Sequence, residues 1–327
     1  MRYPRAAAAL PATALAISLL TCGAFAPATA AAATKPATKP ATKPATKPAA
    51  AHTVVREPVE ARVKKELRAL ERAFNGRIGA YAFDAASGRT VSYRAGERFP
   101  MLSTFKAPLC AAVLHKARTS SPGLMSKVIR WTAADMTPNS PVTEKHLKDG
   151  LTVSRLCEAA VTRSDGTASN LLLRQIGGPA GLTAYFRTLK DPLSRMDRWH
   201  PELNDWTPKD KRDTTTPAAI ARDLRLLTTG TALHAKDREQ LLAWLLRSEV
   251  GAERIPAGLP KSWTVAHKTG TNSSGFGGGN DVAVIWPAKG AAPIVMAVYT
   301  NRTPGLPTDN QTIAKTATVL ARALGRL

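Results

Sequence analysis

Segments with strand character lie near the two ends of this sequence, and the long stretch between them is helical in pattern. Residues 78–83 and 90–93 are short runs containing aromatic and β-branched side chains, separated by a turn at 84–88. Residues 264–271, 281–286 and 294–300 repeat that character, and a last helix is expected over 309–324. From residue 102 to about 246 the spacing is helical, most clearly over 152–162 and 216–227. Thr215 or Thr216 can cap the second of these, with Pro217 in its first turn. Residues 57–75 also have helical spacing, with Val59, Val63, Leu67, Leu70 and Phe74 on one face. A single sheet then has to be built from both ends of the chain. The expectation is an α/β (α+β) protein, a sheet flanked by helices plus an inserted all-helical lobe. The sheet lobe takes 57–100 and 248–327 and the helical lobe 101–247. A cleft between two such lobes is a natural binding site.

The first 56 residues read differently. Arg2 and Arg5 precede an apolar run, 6–20, that is too short for a typical membrane span. Ala24-Phe25-Ala26 and Ala28-Thr29-Ala30 both fit a small-x-small cleavage site. Residues 1–30 therefore read as a secretory signal peptide, with an uncleaved anchor as the alternative. Cys22 raises lipidation, against which Thr21 is a poor preceding residue. Ala-Thr-Lys-Pro then repeats four times over 33–48, and residues 31–56 read as an extended spacer biased toward polyproline II. The expected location is outside the cytoplasm, with no membrane span once the leader is removed.

The formal charge is +22, of which +16 belongs to residues 51–327. No recognition helix, zinc spacing or stacking-aromatic pattern accompanies it, so a nucleic-acid partner is not expected. A general field that attracts carboxylates and anionic wall polymers fits better. The histidines are scattered without ligand-like pairs, so neither metal nor cofactor is implied, and a monomer is expected. Cys110 and Cys157 remain after the leader, an even pair in an oxidising compartment. Their positions leave a bridge and two buried thiols both open.

Three short motifs carry the chemistry. In Ser103-Thr104-Phe105-Lys106 a helical turn would stack the serine and the lysine on one face. A lysine there can take the serine's proton and make it a nucleophile. Ser164-Asp165-Gly166 follows, and Lys268-Thr269-Gly270 lies near the C-terminal end. This ordered trio resembles the penicillin-recognising serine enzymes, and most closely the class A β-lactamases. The likeness runs from about residue 59 to 327. It implies a β-lactamase/transpeptidase-like fold with an antiparallel sheet. It also implies a nucleophile at Ser103, its proton partner at Lys106, a proton relay at Ser164, and carboxylate binding by Lys268 and Thr269. The backbone N–H groups of Ser103 and Thr271 would form an oxyanion hole. Gly270 would keep the strand clear for substrate. Arg254, one strand before Lys268, would add positive charge. Asn170 would steady a loop resembling the family's Ω-loop, residues 198–213, closed by Arg198 and Asp213, with Asn204 holding a water. The resemblance also favours a disulfide between Cys110 and Cys157.

Two positions depart from the family. Gly166 stands where asparagine is usual, with a wider pocket as the expected cost. His200 stands where the family places the glutamate that activates the deacylating water. Three outcomes follow: His200 is the base, Glu202 replaces it through a rearranged loop, or deacylation fails. The expectation is a secreted β-lactamase-like serine hydrolase acting on β-lactam small molecules, with deacylation impaired or reassigned to His200. A non-turnover penicillin-binding trap or sensor and a D,D-peptidase acting on wall peptides are the alternatives.

Overall fold

The computed structural model describes residues 57–272 and 275–327. The segment read as a signal peptide, Cys22 and the Ala-Thr-Lys-Pro repeats read as a spacer lie outside the described residues. Helix α1 (Val59–Phe74) leads into a hairpin of β1 (Gly76–Asp84) and β2 (Thr90–Tyr93). The chain returns to the sheet with β3 (Thr264–Asn272), β4 (Gly278–Trp286) and β5 (Ile294–Arg302). The five strands are all antiparallel, in the order β2-β1-β5-β4-β3. The expected sheet from both chain ends, flanked by helices and interrupted by an inserted helical lobe, is therefore present.

Both sheet faces are covered, so β4 and β5 are buried almost throughout and read as continuous apolar runs. One face packs Ile78, Ala80, Met296 and Val298 against α1 and the terminal helix, Asn310–Ala323. The other packs Val282, Val295 and Tyr299 into a larger core shared with the inserted helices. These are α2 (Lys106–Thr119), α3 (Val153–Thr162), α4 (Gly166–Gln175), α5 (Gly178–Thr188), α6 (Pro217–Thr228) and α7 (Ala235–Leu246). Helix α2 is buried from Lys106 through Leu114, which marks it as the centre of that lobe. Thr216 caps α6 by accepting from the Ala219 N–H at 3.2 Å. Strand β4 begins three residues earlier than expected. Gly278 and Gly279 lie in the strand because a Cβ on either would press on Thr300 or Ile313.

The bridge between Cys110 and Cys157 is not formed, and the expectation is corrected on this point. Both are free, buried thiols, with Cys110 Sγ directed at the Cys157 carbonyl at 3.6 Å. Each packs as a small hydrophobe in the core that already joins α2 to α3. Burial pushes the Cys157 thiol pKa up and keeps it protonated.

A buried acidic pair lies beside α6. Asp223 is fully buried, and neither carboxyl oxygen has a hydrogen-bond donor among the described residues apart from its neighbour Asp191. Asp191 accepts from the N–H groups of Leu193 and Ser194 at 2.7 and 3.1 Å, and its other oxygen faces Asp223. One shared proton would satisfy the pair. Desolvation and the neighbouring carboxylate raise the Asp223 pKa to about 9.

Among the described residues, no helix is long and apolar enough to cross a membrane.

Candidate active site

Ser103 lies in a 3₁₀ turn, Leu102–Phe105, and Lys106 begins α2. With three residues per turn, positions i and i+3 eclipse. The serine and lysine therefore share a face, through a tighter turn than the α-helix expected. Leu102, just before Ser103, has a φ of 49°, a left-handed conformation that a branched residue seldom adopts. The surroundings hold it there. The Met101 N–H donates to the Asp213 carbonyl at 2.8 Å, and the Thr104 hydroxyl donates to the Met101 carbonyl at 2.7 Å. Asn280 Nδ2 donates to the carbonyls of Pro100 and Met101 at 2.9 and 3.2 Å. Asn280 carries no motif, and its partners are distant in sequence, so only the fold reveals its part.

Strand β3 runs against this turn. A Cβ on Gly270 would lie 2.9 Å from Leu102 Cβ and 3.0 Å from the Ser103 nitrogen. The absent side chain thus lets the strand approach the turn itself.

Ser164 sits between two buried lysines. Lys106 Nζ donates to the Ser164 carbonyl at 2.7 Å and reaches its Oγ at 3.5 Å. Lys268 Nζ donates to the same Oγ at 3.1 Å and to the Thr269 carbonyl at 2.9 Å. Ser164 has a φ of 58°, and Asn139 Nδ2 also donates to its carbonyl, at 3.2 Å. Asn139 is exposed on the segment over the site and was not singled out in the sequence. Asp165 is structural: it caps α4 through Ala168 N–H at 2.8 Å and accepts from the N–H groups of Val142 and Thr143. Burial lowers the Lys106 pKa to about 7, against the pull of Asp165. Burial, then the charge of Lys106, puts Lys268 well below the usual lysine range.

Arg254 lies in a turn after α7, not on a strand, and is 4% exposed. Its Nε donates to Asn310 Oδ1, its Nη1 to the carbonyls of Gly270 and Asn280, each at 2.8 Å, and its Nη2 to Thr271 Oγ1 at 2.6 Å. It is a buried brace under β3 and β4 that orients the Thr271 hydroxyl.

The loop expected at 198–213 is closed at its neck. Arg198 Nε meets Asp213 Oδ2 at 2.6 Å, and Asp213 Oδ1 accepts from the N–H groups of Asp197 and Arg198 at 2.8 and 3.0 Å. Asn204 ends a 3₁₀ turn, Glu202–Asn204, and its carbonyl accepts from Asn272 Nδ2 at 2.9 Å. Glu202 is exposed, whereas His200 is 8% exposed. Asn170 holds the His200 backbone twice, accepting from its N–H at 3.0 Å and donating to its carbonyl at 2.8 Å. His200 Nδ1 is buried without a hydrogen-bond partner among the described residues. Desolvation, then the charge of Lys106, lowers the imidazole pKa to about 4. Gly166 does not open a wider pocket in this direction: a Cβ there would lie 2.8 Å from His200 Cε1 and 2.7 Å from the Pro138 carbonyl.

Known proteins share this chain's pattern over most of its length. Residues 62–324 match the model of the beta-lactamase enzyme family. Beta-lactamase AST-1 of Nocardia asteroides is 49% identical over 257 residues, spanning 78% of this chain and 82% of that protein. Carbapenem-hydrolyzing beta-lactamase KPC of Klebsiella oxytoca is 49% identical over 238 residues, spanning 73% of this chain and 80% of that protein. The crystal structure of a beta-lactamase from Streptosporangium roseum superposes with a TM-score of 0.80 at 66% identity, covering 82% of this chain and all of that one. A serine and two buried lysines meeting beside an antiparallel sheet thus have near full-length relatives of one kind, and the chain belongs to the class A serine β-lactamase family, as a serine hydrolase.

Proposed function

We propose that the protein opens β-lactams through an acyl-enzyme on Ser103 and hydrolyses that acyl-enzyme with His200 as the base. The observation that carries the first half is the buried Lys106, whose pKa near 7 leaves a large neutral fraction at neutral pH. Its neutral amine takes the Ser103 proton as Oγ attacks the lactam carbonyl. The oxyanion is held by the N–H groups of Ser103 and Thr271. When the C–N bond breaks, the Ser164 hydroxyl gives its proton to the leaving nitrogen and is reprotonated from the lysine side. Lys268, Thr269 and the Thr271 hydroxyl braced by Arg254 receive the substrate carboxylate, a role that buried positive charge suits.

The second half rests on His200. Free imidazole is more basic than glutamate, but burial beside Lys106 brings this ring to about 4, close to an ordinary glutamate at ~4.3. It is neutral at pH 7 and has a basic nitrogen to take a proton from water. Water then attacks the ester carbon, and the proton returns to Ser103 Oγ as the acyl group leaves. Asn170 fixes the loop backbone that carries the ring, and the neck at Arg198 and Asp213 fixes the loop. Export, through the leader at 1–30, and contact of the basic surface with anionic wall polymers belong to the same reading.

One observation favours a second reading. A general-base histidine is normally oriented by a third group, and His200 Nδ1 has no such partner among the described residues. A slow base would leave a long-lived acyl-enzyme, a trap for β-lactams. Time-resolved intact mass with benzylpenicillin, with product followed in parallel, separates the two. Many product equivalents per protein with a transient adduct supports hydrolysis. A lasting adduct with about one equivalent consumed supports the trap. Neither adduct nor product rejects the Ser103 assignment.

A further inference from the structure

We propose that Gly166 is a positioning residue for His200: by carrying no side chain, it lets the imidazole lie against the start of α4, so positions 166 and 200 work as one unit. The proposal rests on the reading that His200 serves acyl-enzyme hydrolysis.

Helix α4 grips His200 at two points one turn apart. Asn170 bonds both backbone groups of His200, which leaves the side chain only its own torsions. Gly166, four residues earlier and on the same face of α4, sits beside the ring. A Cβ at 166 would stand 2.8 Å from His200 Cε1, closer than real Cβ contacts allow. Nothing else among the described residues holds the ring's buried nitrogen, since Nδ1 has no hydrogen-bond partner. With the backbone clamped and the ring unbonded at that atom, packing decides the rotamer. A side chain at 166 removes the space this rotamer uses. The same Cβ would also stand 2.7 Å from the Pro138 carbonyl and 2.8 Å from Thr137 Oγ1. The competing explanation is that Gly166 serves only the 137–138 segment, and the test has to separate the two.

The test is a double-mutant cycle of Gly166→Ala and His200→Ala, read by deacylation rate, thermal stability and histidine NMR. With the ring present, Gly166→Ala is expected to slow deacylation about 10²-fold, the cost of a catalytic group displaced by about 1 Å. In the His200→Ala background it should change the remaining rate less than about twofold, because no ring is left to displace. Equal slowing in both backgrounds overturns the proposal and assigns Gly166 to the 137–138 segment. If Gly166→Ala fails to fold alone but folds with His200→Ala, the coupling stands; failure in both backgrounds overturns it. In the NMR arm, His200 is assigned by the resonance lost in His200→Ala. Its titration midpoint should move from about 4 toward ~6.5 in Gly166→Ala, as the ring leaves its buried place beside Lys106. An unmoved midpoint overturns the positioning. If the midpoint moves while His200→Ala leaves deacylation untouched, the positioning holds and the catalytic reading of His200 fails.

Discussion

Lys106 Nζ donates to the Ser164 carbonyl at 2.7 Å and reaches the Ser164 Oγ at 3.5 Å, both neutral acceptors. A buried lysine satisfied by a neutral acceptor has its desolvation only partly offset, here by the nearby charge of Asp165, so its pKa falls to about 7. Acylation should therefore speed up as pH rises through about 7 and level off above. Lys106→Arg, always protonated, should lose about 10²–10⁴ in acylation rate and the pH dependence with it. Stopped-flow acylation from pH 5 to 9 measures this, and a flat profile in the unaltered protein would remove Lys106 as the base.

His200→Glu tests the neutrality of the position. A carboxylate next to Lys106 favours the ammonium. The variant should hydrolyse the acyl-enzyme faster than the unaltered protein while its acylation midpoint moves above 7. Single-turnover kinetics separate the steps. An unchanged acylation midpoint would mean that position 200 does not act on Lys106.

For His200 itself the pH dependence keeps the sign of a free histidine but moves to lower pH. Since the ring is neutral above about 4, deacylation should be flat between pH 5 and 8 and fall only below that range. His200→Ala should slow it by about 10²–10⁴. A deacylation rate that climbs through pH 6.5 in the unaltered protein would show the ring to be solvated rather than buried.

Asp213 combines a buried carboxylate, an arginine and two backbone N–H groups, and its own carbonyl receives Met101. Asp213→Ala removes the nearer charge partner of Arg198 at the neck and leaves it only Asp210, at 3.7 Å. The expected loss is about 3 kcal/mol in urea unfolding, with deacylation impaired more than acylation because the loop carries His200. A loss below about 0.5 kcal/mol, the level of an ordinary surface substitution, would contradict this role.

The Asp191 and Asp223 pair predicts a pH dependence of stability. The Asp223 pKa is raised from 3.8 to about 9, so between those values the folded chain keeps a proton that the unfolded chain has released. The contribution is complete below 3.8 and is lost as pH rises through about 9. Asp223→Asn, which can donate to Asp191 at every pH, should flatten that slope. It should raise Tm at pH 8, by about 2–4 °C for each kcal/mol relieved. Parallel Tm curves for the two proteins would mean that no proton is shared.

What the sequence made legible was periodic or local. The strands and helices follow from apolar spacing, and the Thr216 cap from one residue and the proline after it. The three motifs came out in order, and the pairing of Arg198 with Asp213 was named from the family's pattern. What it did not disclose depends on partners brought together only by the fold. Asn280 restrains the turn before Ser103, and Arg254 is a brace because its acceptors come from three separate segments. The left-handed backbone at Leu102 and Ser164 has no side-chain signature, since neither is glycine or asparagine. The cysteines mislead for a related reason: spacing that permits a bridge equally permits two thiols in an apolar core.

Two buried lysine amines meet at Ser164, and Lys106 keeps a charged fraction at neutral pH. Charging both costs their mutual repulsion, which a bound anion would relieve. Multivalent oxyanions in a storage buffer should therefore act on this protein as ligands rather than as inert ionic strength. They would raise its thermal stability by mass action and compete for the place proposed for a substrate carboxylate. Choice of buffer anion then becomes a variable of both stability and apparent affinity, and comparisons across buffers will mix the two.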